Sequence, residues 1–558
     1  MEPAIVSPSA SRKPDAPWLT GALLLCAVIW FAGLEYRGLF MPDEGRYADI
    51  PREMLDSGDW VTPRLNGIKY LEKPPLQYWA TAGAFALFGV DEWTARLWPA
   101  LTGLLGIAFA AFAALRLAPR SPWSTTALTF AGCWGYFLGA QFLTLDMGLT
   151  FFMTAAMLSF ALSRRADISP RAQRNWMLLA WAAAACAVLS KGLVAIVIPG
   201  LALAVYAALE RDLSALRRLH WVPGLCLFAA IAVPWFVLVQ RRNPEFFQFF
   251  FVHEHFQRFT LPEAHRPGPW WYFVPVVLVG LLPWTLAMPA ALARAWRTPA
   301  AGFKLDRFLV IWAGVVVVFF SASHSKLPGY VLPALPAILL VFARHYGALS
   351  ERLRRALALS CVASGVALAL LAAALPHFGA RLSWTGLDAD YSIWLAGAAV
   401  GLTTAGLASL RLLARGRQEN SFAVLGLGSL LAIQLALSGM HVVDEHYSSE
   451  RLVERITGER LRFPRDAPFY SVAGYDQSVP FYLGRSITLV GYKDELAPGI
   501  AAEPDKYVAS LDEFLARWRE HGEAYAIMAP RLYEKLRIDG FPGRVLARDS
   551  RWVIVARR

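Results

Sequence analysis

The stretch MPDEGRYADIPREMLDSGDWVTPRLNGIKYLEKPPLQYW, residues 41–79, decides how the rest of this chain is read. It follows the first long apolar run directly and gathers Asp43, Glu44, Arg46, Glu72 and Lys73, with Tyr47, Tyr70 and Tyr78 among them. A connector between two membrane helices needs a turn and a handful of polar residues. This one is far longer and carries both signs of charge at the rim of an apolar run, which suits the front wall of an active site. Pro42 fits a first helical position and puts Asp43 and Glu44 in the first turn. Asp43 and Tyr47 then share a face at i and i+4, with Arg46 beside them. Ile50 and Met54 supply an apolar face expected to lie on the membrane surface. An amphipathic anchor whose acids complement the helix dipole is the plain alternative. It leaves the second cluster, Glu72 and Lys73, without a purpose.

Outward from this stretch the chain is apolar. Of 558 residues, 56% are hydrophobic and only 17% charged, with a mean hydropathy of +0.40. Ordinary soluble domains carry about 25% charged residues, so lipid must solvate most of this one. The net charge of +12 does not point to nucleic acid. Its Arg and Lys residues cluster at 116–120, 164–174, 211–218, 294–307, 344–355 and 411–417, between apolar runs, as cytoplasmic connectors do. The five cysteines all lie inside apolar runs and read as packing residues. Residues 1–16 are polar, and Arg12 and Lys13 precede the first run, which reads as a retained helix with a cytoplasmic N-terminus.

Fourteen apolar runs are helix candidates: 17–37, 75–89, 95–117, 122–142, 145–163, 175–190, 192–209, 219–240, 270–293, 308–322, 328–343, 356–375, 391–410 and 421–440. If all of them spanned, the N-terminus and 116–120 would fall on opposite sides. The weakest of the intervening runs is 75–89, short and opening at Pro74-Pro75. Treating it as interfacial leaves about thirteen spans and puts every basic connector in the cytoplasm. The expected fold is therefore an α-helical polytopic membrane protein with external juxtamembrane helices. Residues 38–94 form one external loop and 241–269 another. The tail reads as a small α/β domain, with short β-rich runs at 469–472, 487–490, 525–528 and 552–555 and a helical stretch at 511–519. Three parts are expected: a cytoplasmic tail (1–16), a transmembrane part (17–440) and an external α/β domain (441–558).

Further ionisable residues fall on the same outer side. Asp146, in FLTLDMGLT, stands at a helix mouth with no basic residue near it in sequence, and an ionisable group there is a functional candidate. Lys191 interrupts the apolar stretch 177–209, where it snorkels or holds a lipid phosphate. In the loop RRNPEFFQFFFVHEHFQRFTLPEAHRPGPWWYF (241–273), His253, Glu254 and His255 could join Glu72 around a divalent metal ion. A hydrogen-bonded histidine pair fits the spacing equally well. SHSKLPGY (323–330) adds Lys326 and Tyr330. Carboxylates and tyrosines suit sugar hydroxyls or an amine, and Lys or Arg suit phosphate. No Walker motif or Gly-rich nucleotide loop occurs, so the donor must be one available outside the cytoplasm. A lipid-linked phospho-sugar meets that requirement.

The acid pair in a long first loop, the following KPP, a second acid at Asp146 and a late hydrophilic domain resemble the GT-C membrane glycosyltransferases of the protein O-mannosyltransferase type. Within that group, PDEGRYADIPREMLDSGDWV, GIKYLEKP, HEHFQRFT and SKLPGYVLP resemble the bacterial undecaprenyl-phosphate 4-amino-4-deoxy-L-arabinose transferases that modify lipid A. The resemblance implies transfer of aminoarabinose from undecaprenyl phosphate to a lipid A phosphate at the periplasmic face of the inner membrane. That changes lipopolysaccharide charge and polymyxin resistance. It implies Asp43 and Asp146 as catalytic acids, and Glu44, Arg46, Tyr47, Tyr70, Lys73, Lys191, Arg258, Lys326 and Tyr330 as substrate contacts. It leaves Glu72 and His253 for a metal, and a monomer that meets only membrane lipids, donor and acceptor. A protein O-mannosyltransferase would share the architecture but use a Ser or Thr acceptor. A lipid-sugar flippase would show repeated halves, and no internal repeat is visible.

Overall fold

The computed structural model describes residues 17–117, 123–257, 267–299, 302–378, 389–457, 464 and 466–557. The expected cytoplasmic tail 1–16 and Arg258 lie outside them. Each run expected to span is helical over most of its length. Among the described residues, eight helices are long and apolar enough to cross a membrane. A ninth is possible if Phe273–Gly280 and Thr285–Arg297, bent by 113°, make one broken span. The other runs expected to span hold α1 (Pro17–Phe31), the pair Trp123–Ala131 and Trp134–Gln141, Pro170–Lys191 and Val194–Glu210. Three helices order the first loop: α2 (Asp43–Ser57), α3 (Leu76–Phe88) and α4 (Glu92–Leu117). At 13 residues α3 reaches only about 20 Å, short of a ~30 Å hydrocarbon core. It packs on α2 and α4.

Local chemistry sets the loop's turns. Gly58 takes the left-handed conformation that ends α2, and its N–H reaches Met54 O. Asn66-Gly67, at φ 55° and 73°, turns β1 (Arg64–Leu65) back on β2 (Ile68–Lys69), the Asn-Gly hairpin signal in RLNGIK. Buried Asp49, Arg52 and Glu53 brace this turn. Asp49 accepts from Asn66 N–H at 3.1 Å and Glu53 from Gly67 N–H at 2.7 Å.

The tail forms a six-stranded sheet in the order β5-β4-β3-β6-β8-β7. Its strands are β3 (Phe469–Val472), β4 (Thr488–Val490), β5 (Tyr507–Val508), β6 (Ala524–Met528), β7 (Arg544–Arg548) and β8 (Val553–Arg557). β3, β4, β6 and β8 fall on the runs expected to be strands; β5 and β7 lay outside that reading. Side chains alternate between the faces. One face packs Val472, Ala526, Met528 and Val555 against Phe514 and Trp518. The other packs Phe469, Leu489, Ile527 and Ile554 together with Tyr47, Ile50 and Met54 of α2. Here the structure corrects the sequence reading: the apolar face of α2 lies under the α/β domain, not on the membrane surface. Fully burying a side chain such as Ile50 or Met54 stabilises by about 1.5–3 kcal/mol, so α2 is anchored from above. The approach is close. A Cβ on Gly45 would lie 2.5 Å from Ser478 N and 2.6 Å from the Gln477 carbonyl carbon, so only a hydrogen fits between helix and domain.

Candidate active site

Adjacent Asp43 and Glu44 point into different worlds. Glu44 is buried between Arg37, with which it forms a close ion pair, and Arg96, whose Nε and Nη2 donate to it at 2.9 and 3.0 Å. Backbone N–H groups of Phe40 and Leu143 complete its shell at 3.1 and 3.0 Å. Burial alone would raise its carboxyl, but Arg37 and Arg96 together hold it well below the usual carboxylate range. The arginines spend their remaining donors on the carbonyls of Leu34, Gly38 and Gln141. Glu44 therefore ties the end of the first span to α4 and to the mouth of the helix Leu145–Ser163, and does not reach outward as a substrate contact. Sequence reading passed over Arg37 and Arg96. The available signal was a guanidinium inside the apolar run of α4.

Asp43 leaves 39% of its side chain exposed and meets Arg46 Nη1 at 3.5 Å. Arg46 is buried. Its guanidinium lies 5.8 Å from the ring centroids of both Tyr47 and Tyr70 and forms a close ion pair with Glu495 of the α/β domain. Tyr47 faces Tyr78 at 6.2 Å between ring centroids. Tyr70 donates its hydroxyl to Glu72 at 2.9 Å. Burial, then Asp43, raises the Tyr47 phenol, with Glu72 and Asp146 adding to it and Arg46 opposing.

Lys73 stands at the foot of α3. Its Nζ lies 3.1 Å from Glu254 Oε2 and 3.6 Å from Glu72 Oε2. Asp146, expected without a basic partner, has one forty-five positions later: it forms a close ion pair with Lys191. The Lys191 ammonium lies 4.9 Å from the Tyr330 ring centroid. A Cβ on Gly329 would come within 2.7 Å of Asp146 Oδ2, so this glycine is what lets SHSKLPGY close over the pair. Lys326, by contrast, turns back on its own helix end. Its ammonium donates to the carbonyls of Ser321 at 2.9 Å, Ser323 at 2.6 Å and Phe320 at 3.4 Å. Its three donors are spent there, and a phosphate contact is not what it makes.

The metal expectation also meets a different arrangement. His253 is 53% exposed, 3.6 Å from Glu254, and stacks on Phe249. Among the described residues no three His, Cys, Asp or Glu side chains gather as a metal site. The Lys73 ammonium already lies beside Glu72 and Glu254, where a second cation would be repelled. Among the described residues Glu72 and His253 are not brought together as a metal centre; the side chain of His255 lies outside them.

A helical membrane body, a partly exposed acid on the first loop, a second acid at a helix mouth and an α/β domain packed on the first loop are the features of the GT-C membrane glycosyltransferase class. Comparisons narrow the class. Residues 18–250 match the family model of dolichyl-phosphate-mannose-protein mannosyltransferases, and residues 455–557 match that of the aminoarabinose transferase C-terminal domain. The fold is that of the crystal structure of ArnT from Cupriavidus metallidurans bound to undecaprenyl phosphate. The TM-score is 0.90 and the identity 37%, over 97% of this chain and 98% of that one. The undecaprenyl phosphate-α-4-amino-4-deoxy-L-arabinose arabinosyl transferase of Pseudomonas aeruginosa is 30% identical over 91% of this chain and 92% of its own. That of Erwinia tasmaniensis is 33% identical over 62% of this chain, a match spanning 63% of the relative's length. The chain belongs to the undecaprenyl phosphate-aminoarabinose arabinosyl transferase family.

Proposed function

We propose that this chain is a glycosyltransferase that moves 4-amino-4-deoxy-L-arabinose from undecaprenyl phosphate to a lipid A phosphate at the periplasmic face of the inner membrane. The observation that carries the reading is the setting of Asp43: an exposed carboxylate, held loosely by Arg46, among tyrosines and at the edge of a membrane body. Likeness over nearly the whole chain to a relative crystallised with undecaprenyl phosphate supports the donor lipid. An acceptor phosphate is already anionic at neutral pH, so a general base has little proton to remove. Asp43 instead orients the sugar and offsets the positive charge that develops at its anomeric carbon. Lys73 and Lys191 offset the charge of the departing phosphate, and Asp146 aims Lys191. Tyr47, Tyr70 and Tyr330 line the sugar, and Arg46 fixes the loop. Residues 17–440 form the transferase body and 441–558 an external domain that completes the site.

The test is mass spectrometry of lipid A from cells lacking the gene, complemented with wild-type protein or Asp43→Asn. Aminoarabinose on lipid A only with the wild type supports the reading. The match to the mannosyltransferase model gives the other outcome to look for: unmodified lipid A with glycosylated Ser or Thr on envelope proteins.

A further inference from the structure

Asp43 has one loose side-chain partner, yet the backbone on either side of it is gripped by the far end of the chain. Two residues before it, Met41 donates its N–H to Tyr447 O at 2.8 Å, and its Sδ lies 3.1 Å from Arg551 Nη1. Two residues after it, Gly45 lies so close to Ser478 and Gln477 that a Cβ would not fit. Both grips lead back to Asp476, whose side chain is fully buried. Its Oδ1 accepts from the Ser478 N–H at 2.9 Å and from the Ser478 hydroxyl at 2.6 Å. Its Oδ2 accepts from Arg551 Nη1 at 2.8 Å, the Ser449 hydroxyl at 2.7 Å and Trp552 Nε1 at 3.2 Å. Arg551 turns its remaining edge to the carbonyls of Glu445 at 3.0 Å and Ser448 at 2.7 Å. Those two carbonyls bracket Tyr447, the residue that accepts from Met41. A guanidinium suits this place because its planar fork holds several acceptors at once. A thioether is only a weak acceptor, so the tie through Tyr447 carries most of the hold on Met41.

We infer that Arg551, fixed by Asp476, is a positioning residue for Asp43. Through Met41 on one side and Ser478 against Gly45 on the other, the pair sets where the backbone of Asp43 stands, and so where its carboxylate meets the sugar. Arg551 acts through the loop and not on the substrate. The inference rests on the transferase reading above and gives the α/β domain its part in it. A misplacement of about 1 Å at a reacting group costs on the order of a hundredfold in rate, so a grip from outside the membrane body is enough to govern turnover.

The experiment uses the full chain in lipid nanodiscs, with undecaprenyl phosphate-aminoarabinose as donor and lipid A as acceptor. Turnover is counted per molecule that binds undecaprenyl phosphate, so a loss of folded protein alone leaves kcat unmoved. Arg551→Gln should lower kcat about ten- to a hundredfold, with the donor KM and undecaprenyl-phosphate affinity unchanged. Arg551→Lys keeps the charge beside Asp476 but cannot span both carbonyls, and should recover part of the rate. If Arg551→Gln does not fold, Arg551→Lys decides by itself, with a kcat below that of the wild type expected. A wild-type kcat in whichever variants fold, or a loss confined to KM, would overturn the positioning role and leave the transferase reading intact. A wild type that transfers no aminoarabinose would overturn both.

Discussion

One peptide bond separates Asp43, which is partly exposed, from Glu44, which is sealed between two arginines, and the two should fail differently. Asp43→Asn removes an exposed charge with one loose partner, so transfer should vanish while stability stays within about 0.5 kcal/mol. Glu44→Gln leaves Arg37 and Arg96 buried without their counter-charge, which should cost about 3–5 kcal/mol. A thermal-shift measurement on the two variants reads the contrast, and equal midpoints would sink it. The lysines divide the same way. Lys73→Ala should weaken undecaprenyl-phosphate binding about ten- to a hundredfold, the worth of one charge-assisted contact, and Lys73→Arg should restore only part. Lys326→Ala should lower stability by uncapping a helix and leave donor binding unchanged. Asp43 was legible because proline and first-turn rules are local. Glu44 was not, since Arg96 lies fifty-two positions away, and no local pattern announces that pairing. Distance in sequence also hid Lys191 from Asp146.

Lengths and charge asymmetry carry the element-scale reading. The count of crossings between basic connectors marks 75–89 as interfacial, and α3 is 13 residues long. A cysteine at Gly89, just past its end, should react with an impermeant thiol reagent from the periplasmic side; labelling only from the cytoplasm would contradict the assignment. For α2 the pattern showed that an apolar face exists at Ile50 and Met54, but periodicity names a face and never its cover. The α/β sheet that covers it begins more than four hundred residues later. Gly45→Ala tests the cover. The added methyl meets backbone at Ser478 and Gln477, which cannot swing aside as a side chain can. The domain should lift from α2, with faster proteolysis in 441–468 and a loss of transfer.

At the scale of the whole molecule the seam between bundle and α/β domain has a pH dependence. Burial, then Glu92, Asp444 and Glu454, push the Glu450 carboxyl up to about 8 from its ordinary 4.5, with Arg96 opposing. The folded seam therefore holds this proton more tightly than the unfolded chain does. Its contribution is complete below about 4.5 and is lost as the pH rises through about 8. Wild type should melt lower at pH 9 than at pH 6, and Glu450→Gln should reduce that difference; an identical dependence in both would remove Glu450 from the seam. Transfer itself is tested most directly on lipid A. Mass spectra from cells that lack the gene and carry either wild type or Asp43→Asn should show aminoarabinose on lipid A phosphates with the wild type alone. Unmodified lipid A in the wild-type cells, or equal modification with Asp43→Asn, would contradict it.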